Sequence, residues 1–134
     1  MKSKLMAGLS GTVAFLMLSS LLLAHHSVTW AERGRETKVT GTVVEFNFTN
    51  PHIIMIVTGK IEGDPKSIVQ RWTVETTAPA RAIRAGWTKS TFKAGDEITV
   101  IGARSKDGKP LMDSNKFIVN GKEVTADRDD GYVR

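Results

Sequence analysis

The sequence predicts an all-β domain with one short helix, a small five-stranded barrel preceded by a cleaved signal peptide. Three observations carry this. Runs rich in β-branched and aromatic residues recur between residues 39 and 125, separated by turns bearing Gly, Asp, Asn or Pro. A single helical stretch falls between the third and fourth of these runs. The first 24 residues have the make-up of an export leader.

The leader opens with Lys2 and Lys4, then is apolar from Leu5 to Ala24 apart from small residues such as Gly8, Gly11, Ser19 and Ser20. A basic start, an apolar middle and a small residue at the junction describe a secretory signal peptide, with Leu22 and Ala24 three and one residues before the cut. The alternative is an uncleaved anchor, since ~20 apolar residues are what a bilayer-spanning helix needs. Either way the domain is expected outside the cytoplasm, periplasmic or secreted. No arginine pair precedes the apolar stretch, which favours ordinary export of an unfolded chain.

Removing residues 1–24 leaves about 110 of the 134 residues, enough for one domain with a working core. The chain has no cysteine, which excludes disulfides, thiolate metal sites, a cysteine nucleophile and a lipidated cysteine anchor. The net charge of +5 includes both leader lysines, and the surplus that remains is spread without any long run of like charges. A nucleic-acid partner is not indicated.

Residues 25–38 form a polar entry segment whose Glu32–Glu36 portion reads as a loop. Val39–Phe48 is the first strand, with Gly41 marking a bulge or sharp bend. Thr49-Asn50-Pro51 breaks it. Ile53–Thr58 is a second strand, apolar on both faces and therefore central. After a loop over Gly59–Lys66, Ile68–Thr76 alternates as a third strand, with Ile68, Gln70, Trp72 and Val74 on one face and Arg71, Thr73 and Glu75 on the other. Ala78–Gly86 is the helix, with Pro79 suited to its first turn and Gly86 to the residue past its end. Glu97–Ala103 is the fourth strand and Lys116–Val119 the fifth, and Asn120-Gly121 closes a tight hairpin into Lys122–Thr125. Residues 126–134 are a charged tail. Three strands, a helix and two further strands with a bent first strand fit a barrel of the oligonucleotide/oligosaccharide-binding (OB-like) type. An immunoglobulin-like sandwich would call for about seven strands.

Several of these pieces together resemble a known family. The leader ends in Ala24 and His25-His26-Ser27 follows. Further on come Gly41-Thr42-Val43, then Thr49-Asn50-Pro51-His52, Trp72 to Glu75, Gly86-Trp87-Thr88 and Gly95 to Gly102. The combination is similar to a family of small exported bacterial proteins known as domain of unknown function 6152. The resemblance implies an exported, barrel-like domain and brings no settled activity. Relatives often carry Phe-Asp shortly after His-His-Ser. This chain has Trp30-Ala31-Glu32-Arg33 there, so the resemblance assigns no acidic ligand to that spot.

Function is therefore read from the side chains. All three histidines fall at two places, His25 and His26 at the leader junction and His52 just after Asn50-Pro51. Cleavage after Ala24 would expose an N-terminal histidine whose α-amine and Nδ1 chelate one metal ion together. The α-amine has an ordinary pKa of ~7.7–8.0, so its proton is lost cheaply near neutrality. With His52 as third ligand this is a histidine brace, and three nitrogens without sulfur favour copper(II). His26 is a spare ligand or a bystander. The first strand spans ~33 Å and the thirteen residues from His25 to Lys38 reach ~43 Å, so the entry segment is long enough to run back along the barrel to His52. The plain alternative is a pair of histidines at a frayed terminus and a loop histidine that caps a turn.

Trp72 and Trp87, with Phe46 and Phe48, offer rings for stacking a ligand, against the simpler expectation that both tryptophans are core. Arg81 and Arg84 lie three apart on the helix and offer an anion contact, against a solvated helix face. No serine lies in a nucleophile elbow and no pair of carboxylates is visible, which argues against an enzyme. The expected role is an exported small binding protein for copper, with a copper-delivery protein as partner. A metal-free OB-like module that binds a protein or small ligand is the alternative, and a copper oxidoreductase the lesser one.

Overall fold

A computed structural model describes residues 29–126. Its elements are β1 (Thr37–Asn47), β2 (Ile54–Ile61), β3 (Gln70–Glu75), α1 (Pro79–Arg84), β4 (Glu97–Arg104), β5 (Leu111–Val119) and β6 (Lys122–Thr125). The strands run in the order β3-β2-β1-β4-β5-β6, and a parallel pairing of β3 with β5 closes the first five into a barrel. This is the small all-β barrel with one helix that strand count and helix position predict. The leader, His25, His26 and residues 127–134 lie outside the described residues.

The core follows from alternation along each strand. Val39 and Val43 of β1, Met55 and Val57 of β2, Trp72 and Val74 of β3, Ile98 and Val100 of β4, and Phe117 of β5 all point inward and are buried. Their neighbours Thr40, Thr42, Thr58 and Arg71 point outward and are exposed. β2 is central, as expected, but only its inner face is fully covered, and Ile54 and Ile56 on the outer face are half-buried.

Two irregularities bend the sheet into a closed form. In β1 the register slips between Val43 and Glu45, where two residues oppose one on β2. Gly41, two residues earlier, faces Gly59 in the ladder, and a Cβ on Gly41 would collide with the Thr58 carbonyl. In β5 the inward set changes from Met112 and Ser114 to Phe117 and Val119, matching a slip against β4 between Ile101 and Ala103. The Ser114 hydroxyl fills this bulge, donating to the Ile101 carbonyl at 2.8 Å and accepting from the Lys116 amide at 3.2 Å.

The helix has Pro79 in its first turn, and Gly86 follows it with φ of 87°. Six residues are too few to hold a helix alone. Pro79 and Ala82 are buried against the barrel, and Trp87 continues that contact. Trp87 also joins a chain of edge-to-face rings with Phe92 and Phe117, and Phe92 meets Phe46 at 5.0 Å. The Asn120-Gly121 hairpin forms as expected, with φ of 48° and 80° at its two central residues.

Strand boundaries differ from expectation by more than one residue chiefly in β2, β3 and β5. β2 continues through Gly59 to Ile61, because Gly41 allows the close approach that Gly59 needs. β3 starts only at Gln70, and Ile68 is 70 % exposed rather than on the inner face. β5 begins at Leu111, five residues before the expected start. The stretch Asp113-Ser114-Asn115 has turn-like composition, yet pairing with β3 on one side and β4 on the other draws it into the sheet.

Candidate functional site

The loop between β1 and β2 contains a cis peptide at Asn50-Pro51 and ends by docking Ile53 into the core. The Ile53 amide donates to Thr77 O at 3.1 Å, and its carbonyl accepts from the Thr76 amide at 3.0 Å. Since Ile53 points inward, alternation turns His52 outward, and its ring is 46 % exposed.

Glu75, the last residue of β3, also points outward. Its Oε1 lies 2.5 Å from His52 Nδ1. The acid and the imidazole thus stand side by side on the outer surface of the barrel.

The surroundings extend the site into a row of polar and charged side chains. Asp113 of β5 is the register partner of Glu75 across the parallel closure. Arg33 of the entry segment stands 3.7 Å from Asp113 Oδ2. Beneath the row, the buried Thr76 donates its hydroxyl to Asn115 Oδ1 at 3.1 Å. The order around the barrel is His52, Glu75, Asp113, Arg33. Among the described residues no three His, Cys, Asp or Glu side chains converge to hold a metal. A metal at His52 Nε2 would therefore need donors from outside residues 29–126.

The entry segment takes a different course from the one that chain length alone suggests. Its described part, residues 29–36, is not laid back along β1. Ala31 forms a bridge with Ser105, the Glu32 amide donates to Arg104 O at 2.8 Å, and the Lys106 amide donates to Trp30 O at 3.0 Å. Lys106 Nζ also reaches Thr29 O at 2.6 Å. The segment is thus pinned to the end of β4 and approaches the histidine row from the Asp113 side.

The other expected site residues are dispersed. Trp72 is 2 % exposed, with its indole N–H on Gly59 O, and Trp87 is 4 % exposed, with its N–H on Thr125 O. Neither ring offers a free face for stacking, as the core expectation had it. Phe46 and Phe48 are half-buried and pack edge to face at 5.9 Å. Arg81 and Arg84 are exposed in the last turn of α1, away from the core. Glu75 and Asp113 are the residues that sequence reading passed over. Alternation with Trp72 and Val74 placed Glu75 on the outer face, but only the fold sets it beside His52.

The described residues form a closed β-barrel with an outward histidine beside a carboxylate. The chain belongs to a family of unknown function, DUF6152, whose model matches residues 14–112. The matched span takes in the leader junction with His25 and His26, as well as His52 and Glu75, and stops inside β5. No curated protein and no solved structure matches the chain.

Proposed function

We propose that the protein is an exported binding protein for copper(II), held by the His25 α-amine and Nδ1 together with Nε2 of His52, and that it serves in carriage or delivery of the ion. The observation that carries this reading is the position of Glu75 Oε1 beside Nδ1 of the half-exposed His52 ring, where a carboxylate would orient the ring if its other nitrogen took a metal. Three further facts support it. The leader has an export composition with a small residue before His25. The histidines of the whole chain are confined to these two places. The entry segment passes beside Asp113, the register partner of Glu75, and four residues such as those from Thr29 back to His25 can span at most ~14 Å.

The test is a copper(II) titration read by electron paramagnetic resonance, on protein exported and processed in cells, with intact mass checked for a His25 terminus. One equivalent with a nitrogen-rich signal, lost in His25→Ala and altered in His52→Ala, is expected. Copper binding that is indifferent to both substitutions would overturn the proposal.

The second reading, a metal-free interaction module, is favoured by exposed apolar side chains. Ile83 on α1 is 60 % exposed and stands between Arg81 and Arg84, and Val69 before β3 is 64 % exposed. Loss of a captured partner in Arg84→Ala, with copper without effect, would support this reading instead. Trp87→Ala is a poor probe for it, because the indole is part of the core.

A further inference from the structure

The end of β6 is tied to the helix through one residue. The Trp87 amide donates to Ala82 O at 2.9 Å, and the Trp87 indole N–H donates to Thr125 O at 3.1 Å. The next residue, Ala126, is buried, and its amide donates to Asn115 O at 2.9 Å. The chain therefore passes into residues 127–134 beside the last turn of α1, where Arg81, Ile83 and Arg84 are exposed.

The two segments that meet there are opposite in charge. From Thr76 to Gly95 the sequence carries Arg81, Arg84, Lys89 and Lys93 and no acid, and all of these cations are exposed. Directly after Ala126 come Asp127, Asp129 and Asp130, with Arg128 among them. Tyr132, the one tyrosine of the chain, and Val133 follow. Ile83 stands between the two arginines of α1, and an exposed side chain of that size gains by being covered. Length is sufficient as well. The helix is ~9 Å long, whereas the chain from Ala126 to Tyr132 can reach ~20 Å.

We propose that residues 127–133 dock on this face of their own chain. The carboxylates of Asp127, Asp129 and Asp130 meet the guanidinium groups of Arg81 and Arg84, and Tyr132 covers Ile83. Exposed ion pairs are individually weak, so the docking depends on several acting together and on the apolar cover. It loosens as salt screens the charges. The docked tail occupies the face that the metal-free reading gives to a partner, so an acidic partner has to displace it there. Neither His52 nor copper takes part.

The test places a nitroxide label on the isotope-labelled protein, whose lack of cysteine makes Gly131→Cys a unique attachment point. Paramagnetic broadening is expected at the amides of Ile83, Arg84 and Lys89. It should fall at least twofold when Asp129→Asn and Asp130→Asn are combined, in Arg84→Gln, and at high salt. It should stay unchanged in His52→Ala, which separates this contact from the copper reading. A mixture of nitroxide-bearing chains without isotope and isotope-labelled chains without nitroxide identifies whose tail is bound. Broadening confined to the surroundings of Thr125, or undiminished in the charge variants, would overturn the proposal. So would broadening of equal strength in the mixture, which would assign the face to the tail of a second copy.

Discussion

Gly41 and Gly59 face each other across the β1–β2 ladder so closely that neither position has room for a side chain. The obstacles are backbone atoms of the opposite strand, Thr58 O for Gly41 and Thr40 O for Gly59, and backbone cannot swing aside as a flexible side chain can. Gly41→Ala is expected to destabilise the domain by about 1–3 kcal/mol or more, the usual cost of overpacking. A lowered urea midpoint measures it. An unchanged midpoint would mean that the strands are further apart than the ladder indicates.

The pairing of His52 with Glu75 predicts a graded effect on metal affinity. Glu75→Gln keeps an oxygen for Nδ1–H but removes the charge, and Glu75→Ala removes both. Loss of a histidine's outer partner typically weakens metal binding ~10–100-fold. Copper(II) affinity, measured by competition with a chelator, is expected to fall in the order wild type, Gln, Ala. Equal affinities would show that Glu75 plays no part in presenting the ring.

Ser114 fills the bulge that lets β5 bend from β3 toward β6. Its replacement by alanine strands the Lys116 amide and frees the Ile101 carbonyl, both inside the sheet. An unsatisfied buried group costs about 1–3 kcal/mol, so Ser114→Ala should lose that much in denaturant unfolding. Ser114→Thr, which keeps the hydroxyl, should recover part of it.

The turn between β4 and β5 predicts a dependence on acid. Lys109 Nζ at 2.8 Å and the Ser105 hydroxyl at 2.6 Å hold the Asp107 carboxyl well below the usual carboxylate range. A depressed folded-state pKa stabilises the turn above the unfolded value of ~3.9, and that contribution is lost only as pH falls through the lower folded value. The partner Lys109 is raised, so its share is present below its unfolded value and lost in strong alkali. The Asp107 side-chain carbon signal is thus expected to remain that of a carboxylate at pH 3. The same turn holds the entry segment through Lys106, so Asp107→Ala should speed amide exchange at Glu32.

Much of the barrel was legible because it rests on local physics. Period-2 alternation placed Trp72 and Val74 on one face, and that face is buried. Pro79 and Gly86 marked the ends of the helix, and Asn120-Gly121 marked a hairpin whose positive φ angles those residues tolerate. The outward turn of His52 was not legible, since it depends on Ile53 docking against Thr76 and Thr77, more than twenty residues along the chain. Nor was the first half of β5, whose polar residues are strand only because β3 and β4 flank them.

The division has one physical cause. Side-chain periodicity, proline and glycine constraints and turn preferences act over a few residues, so composition and spacing suffice to set the strands, the helix and the all-β class. The contact of His52 with Glu75 and the row continuing to Asp113 and Arg33 join residues far apart in the chain. The first depends on the register of β2 with β3 and the second on the parallel closure of β3 with β5, which exist only once the barrel has formed.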